Sequence, residues 1–172
     1  MLTAYRTGSA GKGLSHITKP SLAYLRQQMG KKIRVLVADD HTLVRRGIRA
    51  LLEHADGIEV VGEAENGQEA LALVKRLQPD VVVMDISMPE LDGIKATEQI
   101  HALGISTHVI ILSMYANVDL VKQALQNGAS GYVLKRSATE ELLQAVRTAQ
   151  AGKIYLSALL DSIPGNDFSS KN

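Results

Sequence analysis

The residues of this sequence that could act together chemically are Asp39, Asp40, Asp85, Ser113 and Lys135. Each closes a short apolar run: IRVLVA leads into Asp39-Asp40, VVVM into Asp85, HVIIL into Ser113 and GYVL into Lys135. Three carboxylates meeting in one crevice repel, and each raises the pKa of the others unless a cation is present. An all-oxygen donor set suits Mg2+, which takes one or two carboxylates and keeps part of its water shell. Lys135 supplies an ammonium able to neutralise a phosphoryl oxygen, and Ser113 a hydroxyl donor. A carboxylate nucleophile, a cation, a lysine and a hydroxyl make up a phosphoryl-transfer site, and an aspartyl phosphate is a recognised covalent intermediate. Positioning and charge neutralisation carry most of such catalysis. Without metal the carboxylates are expected to strain the protein, since like charges a few ångströms apart cost about 1–4 kcal/mol at effective dielectrics between water and a protein surface. On that reasoning Asp39→Ala is expected to be at least as stable as the natural sequence when no metal is present.

The elements that must position these residues follow from hydrophobic period and punctuation. Ile33–Ala38 reads as a first strand, and Thr42 caps a helix carrying Leu43, Val44, Gly47, Ile48, Leu51 and Leu52. Ile58–Ala64 is a second strand, and Asn66 caps a helix that Pro79 stops. Asp80–Asp85 is apolar on both faces, as a central strand of a covered parallel sheet must be. A loop with Pro89 and Gly93 leads to a helix over Ile94–Leu103, then to a strand over His108–Ser113. Val118–Gln126 is a helix closed by the Asn127-Gly128 C-cap signal, Gly131–Lys135 a short fifth strand and Ala138–Ala151 the last helix. Five strands alternating with five helices imply an α/β fold with a doubly wound parallel sheet. Such sheets place their sites at the carboxyl ends of the strands, where the five chemical residues stand.

Composition bounds the rest. The 172 residues contain no cysteine, which excludes disulfides, thiolate metal sites and a cysteine nucleophile. Aromatics make up only 3%, so the core must be aliphatic. No apolar run approaches the ~20 residues that span a bilayer. Residues 1–38 hold seven basic residues and no acid, whereas residues 39–172 hold twelve Lys and Arg against eighteen Asp and Glu, a balance of −6. An acidic body is a poor direct partner for nucleic acid, which calls for a basic face. The chain is therefore divided into a mobile basic N-terminal extension over 1–31, a globular domain over 32–152, and the start of a linker or C-terminal tail over 153–172. The extension reads as a tag or an extended start, with Met29 resembling a natural initiator.

The segments VLVADDH, VVVMDISMPELDG and GASGYVLK, with the strand-end Ser113, together resemble the receiver domain of bacterial two-component response regulators from Lys32 to Gly152. The DDH triplet with GYVLKRSATEELLQAV and GKIYLS is similar to the NarL/FixJ (LuxR-type) subfamily. The resemblance implies a flavodoxin-like sheet of order 2-1-3-4-5. It implies that Asp85 is phosphorylated and also binds Mg2+, with Asp40 as a direct ligand, Asp39 mostly through water, and the Ser87 backbone carbonyl as a further ligand. Ser113 would move toward the phosphoryl group, Tyr132 would swing inward after it, and Lys135 would pair with the phosphate. The implied partners are a sensor histidine kinase, a second copy on phosphorylation, and DNA only through a helix-turn-helix output domain absent from this sequence. The dimer would use either the Ser113–Tyr132 face or the first and last helices. The implied location is cytoplasmic, away from the membrane.

Two residues depart from the family pattern. Arg136 stands where a proline with a cis bond is often found, and a cis non-proline bond costs about 3 kcal/mol. Met114 and Tyr115 follow Ser113, and their bulk narrows access to a phosphate. Ser87 and Tyr115 are expected to flank the path of hydrolytic water, with Tyr115 covering the phosphate and extending its lifetime to minutes or longer. His41 reads as a capping-region or surface histidine in preference to a metal ligand, and His16, His54, His101 and His108 as structural. Two other functions use similar residues. A phosphohydrolase of the haloacid dehalogenase type wants a second acid two positions after the nucleophile, where this sequence has Ser87. A passive interaction module would not need the acids and Lys135 together.

Overall fold

The computed structural model describes residues 30–162. The extension expected over 1–31 lies outside the described residues except for its last two positions, as does the end of the expected tail, 163–172. Within the described residues six strands form one parallel sheet of order β2-β1-β3-β4-β5-β6. They are β1 (Ile33–Ala38), β2 (Ile58–Ala64), β3 (Val81–Asp85), β4 (His108–Ser113), β5 (Gly131–Leu134) and β6 (Tyr155–Leu156). The helices are α1 (Thr42–Glu53), α2 (Gly67–Leu77), α3 (Gly93–Ala102), α4 (Val118–Gln126) and α5 (Ala138–Gln150). The doubly wound α/β fold and its order match the expectation for the first five strands.

Strand residues alternate between two cores because successive side chains leave opposite faces of a sheet. Val35, Val37, Val83, Ile110, Leu112 and Val133 face α1 and α5, packing on Ile48, Leu52, Leu142 and Val146. Leu36, Val82, Met84, Ile111 and Tyr132 face the other way with Leu71, Val74, Ile100 and Val121 of α2, α3 and α4. With both faces covered, β3 is buried along its whole length. Polar side chains can then be presented only where the strands end.

Caps fix where the helices begin. Asn66 accepts the Glu69 amide at the start of α2, as expected, and Asn117 does the same for α4. Asp92 caps α3 by accepting the Lys95 amide, so α3 begins one residue earlier than its apolar pattern indicated. Thr42 is the first helical residue of α1 and not its cap; His41 holds that place without a side-chain capping bond. The Asp39 carboxylate instead accepts the His41 amide at 2.8 Å.

The sheet continues past the boundary drawn at residue 152. Tyr155 and Leu156 pair with Gly131 and Tyr132 as β6, and Ser157 donates its amide to the Tyr132 carbonyl at 2.9 Å. Leu160 is fully buried in the Leu36–Tyr132 core. A two-residue strand is too short to show any periodicity, so no local pattern announces it. Truncating Leu160 therefore probes whether this segment is part of the fold. Leu160→Ala is expected to cost about 2–5 kcal/mol in urea unfolding of the full chain, and a loss under about 0.5 kcal/mol, typical of surface positions, would mean that the segment is not part of the core.

Candidate phosphoacceptor site

The strand ends bring Asp39, Asp85 and Lys135 into direct contact, with Asp40 beside them and Ser113 at the end of the next strand. Asp39 follows β1, Asp85 ends the adjacent β3, Ser113 ends β4 and Lys135 follows β5. The Lys135 Nζ lies 2.7 Å from Asp39 Oδ2 and 3.1 Å from Asp85 Oδ1. One ammonium thus bridges two buried carboxylates. Burial works against the Lys135 ammonium, but Asp39 and Asp85 outweigh it and hold its pKa above the usual lysine value. The bridge changes the expectation of a strained metal-free site: Asp39 is not simply a repelled charge but half of an ion pair, and Asp39→Ala would remove the shorter contact of Lys135. Lys135 then keeps Asp85 as its partner at 3.1 Å, so the variant loses one contact of the bridge and one carboxylate–carboxylate repulsion together.

Asp85 remains in the least favourable environment. Burial pushes its carboxyl above the usual carboxylate range, Lys135 opposes that, Asp39 adds to it, and a hydrogen bond from the Ser87 amide offsets a further part. Gly93 closes the loop behind it: a Cβ at this position would lie 2.0 Å from the Asp85 carbonyl oxygen, so only glycine admits this approach. The Gly93 amide donates to the Ile86 carbonyl at 2.8 Å, which fixes the chain just after the acceptor.

Asp40 is the accessible member of the acid group, with its side chain 31% exposed. Asp39, Asp40, His41 and Asp85 each offer one ligand atom, and these atoms lie within 4.8 Å of one another. Such a group could hold a metal ion, and the Lys135 ammonium already places a positive charge between two of its oxygens. His41, expected as a capping-region or surface histidine, holds the N-cap position with its ring mostly exposed, and its Nδ1 also stands 2.9 Å from Asp40 Oδ1.

Ser113 and Tyr132 meet at the backbone of Tyr115. The Ser113 Oγ accepts the Tyr115 amide at 3.0 Å, and the Tyr132 hydroxyl donates to the Tyr115 carbonyl at 2.9 Å. Tyr132 is fully buried, so its ring is already inward in this structure. Burial pushes its phenol above the usual value, and the nearby Ser113 hydroxyl partly offsets this. The Tyr115 side chain is 61% exposed, and the contacts that tie Tyr115 to the site are made by its backbone. The Lys135–Arg136 peptide is trans, and residues Lys135–Ser137 form a single 3-10 turn.

A family model described as the response regulator receiver domain matches residues 35–147. The chain belongs to that family. This receiver is similar to the response regulator GacA of Pseudomonas viridiflava, 41% identical over 125 residues that cover 73% of this chain and 58% of that protein. It is 35% identical to the nitrate/nitrite response regulator protein NarL of Escherichia coli K12 over 129 residues, covering 75% of this chain and 60% of that protein. The crystal structure of a LuxR-family two-component response regulator from Aurantimonas sp. SI85-9A1 superposes with a TM-score of 0.73 at 37% identity, over 76% of this chain and 93% of that one. The receiver is thus of the NarL/LuxR type, and the chain spans less than two thirds of the length of these two curated relatives.

The Asp85 environment gives a stability test that needs no phosphate. A carboxyl whose pKa is higher in the folded than in the unfolded state binds more protons when folded, so stability falls as pH rises from the unfolded value through the folded one. Asp85→Asn has no charge to bury and escapes this loss. In EDTA, the melting temperature of Asp85→Asn is expected to rise relative to the natural sequence as pH goes from 4 to 7. Parallel curves across that range would show that burial of the Asp85 charge is fully compensated.

Proposed function

We propose that this receiver accepts a phosphoryl group on Asp85 from a sensor histidine kinase, with Mg2+ held by Asp39, Asp40, Asp85 and the Ser87 backbone carbonyl. The observation that carries the proposal is the Lys135 ammonium 3.1 Å from a buried strand-end carboxylate beside an open acidic pocket. An Asp85 carboxylate oxygen attacks phosphorus, a P–O bond forms, and the P–N bond to the donor imidazole breaks, with the imidazole nitrogen taking a proton. Lys135 favours the ionised, nucleophilic form of Asp85 and, freed from that contact, pairs with an oxygen of the transferred group. The bound Mg2+ supplies charge neutralisation for the phosphoryl oxygens and the surrounding acids. Positioning falls to the chain: Gly93 and the Ser87 amide fix the acceptor, and burial excludes bulk water from its base.

The new phosphoryl group adds negative charge and hydrogen-bond acceptors beside Ser113. Binding it engages the Ser113 hydroxyl, which accepts the Tyr115 amide, and the Tyr132 hydroxyl is tied to the carbonyl of the same residue. Ser113 and Tyr132 are therefore the two-state element of the proposal. Its output is a change in self-association, and control of transcription through a helix-turn-helix that the described residues do not contain. A relative 41% identical over 128 residues, named as the transcriptional regulatory protein YhcZ of Bacillus subtilis, supports the transcriptional part of that reading. Sedimentation of the receiver with beryllofluoride is expected to show a shift toward dimer; an unchanged monomer would remove self-association from the proposal. Signalling, not turnover of small phosphate esters, is the activity proposed, and Ser87 leaves no second acid where a phosphohydrolase would want one.

Labelling with acetyl phosphate tests the site directly. The natural sequence is expected to gain one phosphoryl group in Mg2+ and none in EDTA, and Asp85→Asn none in either, read by intact-protein mass spectrometry. Labelling of Asp85→Asn at the natural rate would end the assignment. Decay of the same label tests the rate-tuning roles of Ser87 and Tyr115. A ring that folds over the phosphate on phosphorylation makes Tyr115→Ala lose its label faster; an unchanged rate confines Tyr115 to its backbone contacts.

A further inference from the structure

Arg45 takes no part in the chemistry above, yet its side chain is buried directly behind the acid pair. The guanidinium donates from Nη1 to the Asp39 carbonyl at 2.7 Å, from Nε to Glu63 Oε2 at 3.0 Å and from Nη2 to Glu65 Oε1 at 2.9 Å. One planar fork thus joins α1, the residue after β1, the end of β2 and the loop that follows β2. Burying a guanidinium is unfavourable unless it is paired and hydrogen-bonded, and here two carboxylates and a carbonyl meet that demand. Those two carboxylates also balance its charge, and Glu63 is shared with Arg49. Arg45 therefore adds little net positive field at Asp39 or Asp85. Its effect is geometric.

The Asp39 carbonyl is where that geometry acts. Ala38 is the last residue of β1, paired with Ala64 on one side and Met84 on the other, and the Asp39 amide still donates to the Ala64 carbonyl at 3.1 Å. The Asp39 carbonyl lies past the ladder, and Arg45 supplies the donor that a neighbouring strand no longer does. Holding this carbonyl fixes the peptide plane between Asp39 and Asp40. Asp40 depends on that plane: its side chain is partly exposed and its ion-pair contact is with His41, itself a mostly exposed ring. We infer that Arg45 is a positioning residue of the cation pocket: its grip on the Asp39 carbonyl sets the Asp39–Asp40 peptide and aims the Asp40 carboxylate toward Asp85. A fork of fixed shape suits this task, whereas a lysine ammonium cannot serve three acceptors in one plane.

This inference rests on the reading of the pocket as a Mg2+ site, and calorimetric titration of the full chain with Mg2+ separates the two. Residues that orient a metal ligand without touching the metal typically change affinity 10–100-fold. Arg45→Gln is expected to raise the Mg2+ dissociation constant on the order of tenfold, and to speed amide exchange at Asp40 and His41. Arg49→Gln, which shares Glu63 but does not hold Asp39, and Leu52→Ala, which weakens the core under α1, are expected to lower the melting temperature and leave the dissociation constant at its natural value. That contrast excludes general loosening as the cause. If Arg45→Gln does not fold, Arg45→Lys decides, with a smaller rise expected in the same direction. A natural dissociation constant in a folded Arg45 variant overturns the inference alone. Absence of saturable Mg2+ binding by the natural sequence overturns the metal reading, and the inference with it.

Discussion

Asp39 and Asp85 stand on neighbouring strands with almost no access to water, and two carboxylates so placed cannot both stay ionised without a counter-charge. The Lys135 ammonium supplies it, and much of the architecture follows from the need to bring it there. Lys135 lies 96 residues from Asp39 in sequence. It reaches the pair because β5 runs parallel to β4, β4 to β3 and β3 to β1, so that all the strands present the same end. An antiparallel neighbour would carry its loop residues to the opposite edge. The bridge is therefore a product of parallel topology, and it leaves a pocket already shaped for positive charge.

The sheet can do this because it is inert everywhere else. Both faces of β1, β3 and β4 carry Val, Ile, Leu and Met packed under helices. Apart from Tyr132 that packing is aliphatic, and close-packed interiors resist small displacements. Polar chemistry is then confined to the strand ends, where short loops hold it. Gly93 shows how tight that confinement is, since the chain returns to within a methyl group's reach of the Asp85 carbonyl.

The same edge carries the elements that could transmit a change. Ser113 accepts the Tyr115 amide and Tyr132 donates to the Tyr115 carbonyl, and the Tyr132 carbonyl receives the Ser157 amide. Ser157 is buried and hydrogen-bonds Glu141 of α5 and Ser137 of the turn after Lys135. The chain after α5 is thereby tied to the strand and the turn that place Lys135. A displacement of Lys135 or Tyr132 has a short route of direct hydrogen bonds to residues 155–160.

The alternation of elements, the α/β class and the identity of the residues at the strand ends are all written in local chain chemistry. They can be read there because each strand here is a short apolar run punctuated by a polar residue, and Pro79, Asn66 and the Asn127-Gly128 pair mark boundaries through local chemistry alone. The family pattern was legible for the same reason, being a set of short segments in order. Contacts between residues distant in sequence emerge only in the folded chain. The Lys135 bridge turned an expected repulsion into an ion pair. The cap at Asp92 and the placement of His41 depend on how loops fold against the strand ends. The docking of Tyr155–Leu160 depends on an exposed edge of β5 that no local period announces. Arg45 is the clearest case: on a helix it reads as one more basic residue beside Arg46, and its burial follows from the end of β1 needing a donor that only the packed fold brings within reach.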